Sequence, residues 1–345
     1  MYKKFCIQIL FFTIVILLVI GIVTWIVDPF FQYHKPFMDI EFTNEIYQNA
    51  GIAKNFDYNT IITGSSMTEN FKISWFENAN KEEKLIKVPY SGGYSKNYDK
   101  IFEIAFETHN IKKVYLGLDN FYVFRTEPNE TRTDLPEYLY DKNIFNDVQY
   151  LLNKDVLIEN TMPNIKNYFQ GKKVNEDLAY NWNQNFTFGK EEMLSSYNRP
   201  LKTQKLPDNY YMINYKENLK NITKYIEDYP NTEFIIFFPP YSIIDWNTKQ
   251  GNLEARIVVT KEVMKDLLEY KNVQLYYFQN IEEIITNLDN YKDYSHYNEE
   301  INYYMFESMC KTGKHKITKE NYLSEIEKMY NIVLDYDFAA IFNSK

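Results

Sequence analysis

The hydrophobic pattern opens with one unbroken apolar run. Met1-Tyr2-Lys3-Lys4 carries positive charge, and Phe5 to Val27 follows without a single charged side chain. At 1.5 Å per residue these roughly 23 residues make a helix about 34 Å long, enough to cross a hydrocarbon core of about 30 Å. Trp25 near its far end suits an interfacial ring, and Asp28-Pro29 stops the helix. Lys3 and Lys4 place the N-terminus in the cytoplasm and the rest of the chain outside. A cleaved signal peptide is the alternative, but its apolar core is shorter and no small-x-small site precedes Asp28-Pro29-Phe30. No later segment is long and apolar enough to span. The predicted organisation is a cytoplasmic stub and transmembrane anchor over residues 1–34, then an extracytoplasmic domain over 35–345.

Beyond the anchor, short β-like runs alternate with longer amphipathic stretches, the pattern of a parallel sheet with helices on both faces. The predicted strands are Asn59–Thr63, Lys84–Val88, Lys113–Leu118, Glu233–Phe238 and Val273–Phe278. Each is short, β-branched or aromatic, and each ends at a small, polar or proline-containing segment. Helices are predicted near Lys96–Glu107, Met212–Glu227, Leu253–Glu269 and Tyr297–Cys310. The gap between the third and fourth strands exceeds one crossover, so residues from about 121 to 208 form an insertion. It holds helical patterns near Ile144–Leu152 and Val156–Phe169, and an Asn-, Tyr- and Phe-rich stretch, Asn181–Phe188, that either lines a cleft or packs.

Composition narrows the function. A net charge of −9 argues against a broad nucleic-acid-binding surface. The two cysteines, Cys6 in the apolar run and Cys310 near the other end, exclude a disulfide framework. No His/Cys/Asp cluster has metal-ligand spacing and no G-x-x-x-x-G-K-[ST] loop occurs, so neither metal nor cofactor is expected.

In open α/β sheets ligands bind beyond the carboxyl ends of the strands, so the segments after each strand carry the candidate chemistry. After the first comes Gly64-Ser65-Ser66-Met67-Thr68-Glu69-Asn70. A serine here is presented at a strand-to-helix turn, beside helix N–H groups able to hold an oxyanion. Its plain alternative is a helix cap supplied by Ser66 or Thr68. After the second strand, Ser91-Gly92-Gly93 lets backbone approach a substrate, as any β-to-α turn does. The third ends in Gly117-Leu118-Asp119-Asn120 and the fourth in Phe238-Pro239-Pro240. After the fifth lies Asp293-Tyr294-Ser295-His296. Of the four histidines, His34 adjoins the anchor, His109 ends a helix and His315 sits in a Lys-rich segment; His296 has a carboxylate three residues before it. Asp and His in such a turn hydrogen-bond, which fixes the tautomer and leaves the far nitrogen as a base. A solvated histidine at a helix start is the alternative.

Taken together, Gly64-Ser65-Ser66 after the first strand, glycines after the second, a G-x-x-N after the third and a terminal D-x-x-H resemble the SGNH/GDSL hydrolase superfamily. The resemblance covers about residues 57 to 311 without the insertion. Within it the chain is most similar to membrane-anchored cell-envelope members, the D-alanyl-lipoteichoic acid biosynthesis and alginate O-acetylation proteins. It implies a three-layer α/β/α sandwich with a central parallel, flavodoxin-like sheet, and Ser66 as nucleophile, His296 as base and Asp293 as its orienter. It also implies an oxyanion hole from the Ser66 N–H, a Gly92 or Gly93 N–H and an asparagine side chain. The pattern departs at one place: asparagine is expected two residues after Gly117, where Asp119 stands, and Asn120 is one place late. Asn70, four residues past Ser66, is the substitute on a helical reading.

The expected function is a two-step serine acyl-esterase or O-acyltransferase acting on a cell-envelope polysaccharide, teichoic acid or lipid-linked acyl substrate. The expected partners are that polymer or lipid, the membrane through the N-terminal helix, and a multi-pass acyltransferase that the resemblance implies. The competing reading is a non-catalytic SGNH-like domain that holds a polymer, with the aromatic insertion stacking on sugars, or scaffolds a partner membrane acyltransferase.

Overall fold

The computed structural model describes residues 2–118, 121–198 and 205–342. In chain order, α1 (Tyr2–Val27) and α2 (Glu45–Asn55) precede β1 (Thr60–Thr63), α3 (Ile73–Ala79), β2 (Leu85–Lys87), α4 (Ser95–Thr108) and β3 (Lys113–Gly117). Next come α5 (Glu137–Tyr140), α6 (Val148–Leu151), a π-helical turn Val156–Thr161 that runs into α7 (Met162–Phe169), and α8 (Lys190–Ser196). The chain then forms α9 (Tyr215–Asp228), β4 (Glu233–Phe238), α10 (Leu253–Leu267) and β5 (Val273–Tyr277). It finishes through α11 (Glu282–Ile285), α12 (Glu299–Glu307), β6 (Lys316–Ile317), α13 (Tyr322–Asp335) and α14 (Phe338–Phe342). These elements fall into two compact units, Met1–Asp57 with Asp134–Ala179, and Tyr58–Thr133 with Tyr180–Lys345.

The second unit is an α/β fold around a six-stranded sheet of order β2-β1-β3-β4-β5-β6. The first five strands are parallel and β6 is an antiparallel edge. Strands buried on both faces must be apolar throughout, and Glu-Phe-Ile-Ile-Phe-Phe of β4 is the clearest case. Its side chains alternate between layers. Phe234 meets Phe106 of α4, which in turn stacks on Tyr225 of α9. Phe237 meets Phe71, on the side where Phe76 of α3 packs against Tyr115 and against Phe306 of α12. The three layers are therefore α4 and α9, the sheet, and α3 and α12. The chain leaves β1 towards β2 and β3 towards β4, so the carboxyl ends of β1 and β3 flank the topological switch point.

All five predicted strands form, each within a residue or so of its expected bounds. The two-residue β6 escaped prediction because a Lys-rich edge carries no period-2 pattern. The helix predicted over Tyr297–Cys310 starts instead at Glu299, where the Asn298 side chain accepts from Ile301 N, and ends in a π turn, Ser308–Thr312. The Ile144–Leu152 pattern yields only Val148–Leu151. Of the stretch read as one insertion, residues 134–179 cluster with the N-terminal segment and Tyr180 onward with the sheet.

The first unit is organised around the end of α1. Asp28 follows it with a φ of 45°, and its fully buried carboxylate accepts from Gln32 N at 2.9 Å, Tyr33 N at 2.7 Å and the Tyr150 hydroxyl at 2.8 Å. Phe30 stacks on Tyr150, and the following turn lies against α2 at Gly51. A Cβ on Gly51 meets the Phe30 carbonyl oxygen at 2.1 Å and the Phe31 carbonyl carbon at 2.5 Å, both backbone. Gly51→Ala is therefore expected to destabilise this unit by about 3 kcal/mol, through overpacking that no rotamer relieves. Thermal melts and limited proteolysis mapped to residues 28–57 and 134–179 check this; an unchanged melt removes the contact from the account.

Candidate active site

Every side chain of the site lies in the sheet unit. After β1 the chain does not enter the helix the sequence predicts. It makes one 3-10 turn, Ser66–Thr68, and reaches α3 only at Ile73. Beyond the turn the Glu69 and Phe71 carbonyls accept from the buried Lys87 ammonium at 2.7 and 2.9 Å. The cap is Ser65, whose hydroxyl accepts from Met67 N at 3.2 Å, while the Thr68 hydroxyl donates to the Ser65 carbonyl at 2.8 Å. Capping thus falls to the neighbours and leaves the Ser66 hydroxyl for another partner.

That partner is His296. Ser66 Oγ lies 2.8 Å from His296 Nε2. His296 Nδ1 lies 2.8 Å from Asp293 Oδ2 and 3.0 Å from Oδ1. An ionised carboxylate only accepts, so Nδ1 carries the proton, Nε2 is the free acceptor and the Ser66 O–H donates to it. Asp293 Oδ1 also accepts from His296 N at 2.8 Å, Ser295 N at 2.9 Å and the Ser295 hydroxyl at 3.1 Å. Lys292 Nζ stands 3.1 Å from Oδ2. Burial pushes the Asp293 carboxyl up, but the His296 ring and the two backbone N–H groups outweigh it and hold it well below the usual carboxylate range. Ser66 and His296 are both partly exposed, so solvent and solute reach them.

Two glycines make room for this turn. Gly64 has a φ of 150°, and a Cβ there meets Thr68 Cγ2 at 2.6 Å and the Gly117 carbonyl oxygen at 2.9 Å. A Cβ on Gly117 meets the same Thr68 methyl at 2.8 Å. Thr68 therefore packs into the gap between β1 and β3 because neither strand end has a side chain.

The oxyanion candidates fare unevenly. The Ser66 and Gly92 N–H groups have no hydrogen-bond partner among the described residues, and Gly92 holds a φ of 61°. Gly93 differs: its N–H donates to the Tyr90 carbonyl at 2.8 Å, which closes the turn and commits that donor. Asn120 and its neighbour Asp119 lie outside the described residues. Asn70 is not on a helix with Ser66, since the 3-10 turn has ended. Its Oδ1 accepts from Trp182 N at 3.1 Å and Asn183 N at 3.2 Å, and its buried Nδ2 has no partner among the described residues.

Sequence reasoning missed what holds the turn. The Trp182 indole N–H donates to the Ser66 carbonyl at 3.2 Å, and its ring stands edge-on to His296 at 5.4 Å. Asn181 bonds Glu299, and Asn183 accepts from Glu299 N at 2.8 Å, so the Asn181–Phe188 stretch is tied to α12. The Tyr297 hydroxyl and the Asn302 amide both donate to the Met67 carbonyl, at 3.1 and 2.9 Å. The only signal was the aromatic enrichment of 181–188, which gave no address in space.

No family model and no curated protein matches this chain. One solved structure is similar, from Streptococcus pneumonia and described provisionally as a platelet activating factor. It has 11% identity and a TM-score of 0.38, and the match covers 77% of this chain and 88% of that one. At that score the likeness carries no weight for chemistry.

Two outcomes test this geometry. Gly117→Ala is expected to cost about 1–3 kcal/mol, and Thr68→Ser, which deletes the facing methyl but keeps the hydroxyl, recovers part of it in the double variant. Non-additivity in denaturant midpoints is the readout; strict additivity contradicts the contact. Asp293 has a depressed carboxyl pKa, so its stabilisation is complete above the ordinary aspartate value of about 3.9 and is lost as pH falls through the lower folded value. The stability gap between wild type and Asp293→Asn should still be present at pH 5 and narrow only below about 4.

Proposed function

We propose that this chain is a membrane-anchored serine hydrolase or acyltransferase of SGNH/GDSL type, acting on an ester or thioester of a cell-envelope polymer or lipid-linked donor. The observation that carries the reading is the continuous relay Ser66 Oγ–His296 Nε2 and His296 Nδ1–Asp293, with 2.8 Å at each step. In the proposed reaction His296 Nε2 takes the Ser66 proton as Oγ attacks the carbonyl carbon, and Asp293 stabilises the imidazolium without itself being protonated. The tetrahedral oxyanion is held by the Ser66 and Gly92 N–H groups. Collapse returns the proton from His296 to the leaving oxygen or sulfur and leaves an acyl-Ser66 ester. A water or a polyol hydroxyl, deprotonated by His296, then attacks that ester and releases Ser66. Trp182, fixed to the Ser66 carbonyl and edge-on to His296, stands beside the reacting groups. The apolar helix Tyr2–Val27, long enough to span a bilayer, supports a surface substrate, with Lys3 and Lys4 favouring a cytoplasmic N-terminus.

The test is fluorophosphonate labelling of the full-length chain in detergent. Wild type is expected to label, Ser66→Ala to lose all signal, and His296→Ala to slow labelling by at least about a thousandfold. Asp293→Asn is expected to slow it by about a hundred- to ten-thousandfold. A folded wild type that does not label, or label that survives Ser66→Ala, rejects the proposal.

A further inference from the structure

The first unit leaves an unusual set of side chains uncovered. Ile144, Phe145 and Val148 lie at the entry to α6, and Ile158, Met162 and Phe169 lie along the π turn and α7. Phe145 is 88% exposed and Phe169 82%. Ile158, Met162, Ile165 and Phe169 recur every three or four residues and so share one stripe of a continuous helical run, while Val156, Thr161 and Asn164 are buried. A surface helix of a water-soluble unit turns polar side chains outward; this one exposes Ile158, Met162 and Phe169, with Ile165 half-buried between them, beside the exposed Glu159 and Lys166.

The position of that surface identifies what covers it. Both α6 and the π turn pack against α1, and Leu152 approaches Gly21 so closely that a Cβ there is 3.5 Å from Leu152 Cδ2. Gly21 lies about 9 Å before Val27 along the helix axis. The elements that carry Val148 and Ile158 thus adjoin the C-terminal part of α1, whose own Ile22 and Ile26 are exposed, and α7 continues from the π turn. At the same level Trp25 contacts Tyr33 and His34 at 6.5 and 5.6 Å, and His34 stacks on the exposed Phe37 at 4.3 Å. Aromatic rings gathered at one end of a spanning helix mark the level of the lipid headgroups. A flank continuous with α1 is bathed by whatever bathes α1.

We propose that residues 144–169 form an interfacial collar, with the apolar stripe of the π turn and α7 resting among the lipids that surround the C-terminal end of α1. Lipid is the occupant, and the anchor is then a helix plus an in-plane segment, which limits its tilt and depth. The proposal rests on α1 spanning a bilayer, and the experiment separates the two.

The full-length chain, on a Cys6→Ser, Cys310→Ser background, is labelled with an environment-sensitive NBD dye at Phe145→Cys, Ile158→Cys or Phe169→Cys. Ile16→Cys serves as hydrocarbon reference and Lys261→Cys as aqueous reference. Each is reconstituted at one copy per nanodisc of phosphatidylglycerol and phosphatidylcholine. The collar labels should be quenched by shallow doxyl lipid at least about twofold more than the Lys261 label, and be shielded from iodide. Quenching at Ile16 but not at the three sites overturns the collar and leaves the anchor standing. Iodide shielding without lipid quenching assigns the surface to protein contact and overturns it equally. No lipid quenching anywhere, Ile16 included, overturns both.

Discussion

The site depends on how closely the carboxyl ends of β1 and β3 approach each other. Gly64 and Gly117 leave a slot there with no Cβ on either wall, and the Thr68 methyl fills it. That seats the 3-10 turn at the switch point of the sheet, and beyond the turn Lys87 takes the carbonyls of Glu69 and Phe71. The turn ends with Glu69 N donating to the Ser66 carbonyl at 3.3 Å, and the Met67 carbonyl next to it takes side-chain donors, as a buried carbonyl needs a partner. Trp182 adds a second donor to the Ser66 carbonyl, and Tyr297 with Asn302 supply the donors to Met67. Tyr297 is the residue after His296. The Met67 carbonyl therefore ties down the segment that brings the imidazole to Ser66.

Around Asp293 the electrostatics act in one direction. One carboxylate takes two backbone N–H groups, a hydroxyl, an imidazole N–H and the nearby Lys292 ammonium. Each favours the ionised form, and together they overcome the penalty of burial. A fixed negative charge at Nδ1 keeps the proton there and Nε2 open. Lys292 is itself held over Trp182 and Phe186, at 5.0 and 4.1 Å from the ring centroids. The aromatic segment thus touches the serine backbone, the histidine ring and the cation beside the carboxylate.

The first unit solves a different problem, the exit of an apolar helix into folded protein. Asp28 takes a left-handed backbone conformation that few non-glycine residues adopt, and its carboxylate collects the N–H groups of Gln32, Tyr33 and His34. Tyr150 ties the same carboxylate to α6. A membrane-length helix is thereby joined to its unit by buried hydrogen bonds rather than by a flexible linker.

Local pattern was enough to locate the apolar helix, because about 23 uncharged residues have few alternatives. It was enough for the five parallel strands, whose burial on both faces forces continuous apolar runs, and for nominating Ser66, His296 and Asp293 from their places after strand ends. After β1 a strand-to-helix turn was expected, but the chain makes only a 3-10 turn and a lysine from β2 takes the carbonyls that follow, so Asn70 does not share a helical face with Ser66. Local pattern offered Gly92 and Gly93 as equals, although the turn itself spends the Gly93 N–H. It gave Asn181–Phe188 no partner, since contact between Trp182 and Ser66 spans 116 positions of chain and no periodicity encodes so distant a pair. Short-range preferences fix which residues become strands and turns. Only the closing of the sheet decides which carbonyl, ring and carboxylate meet.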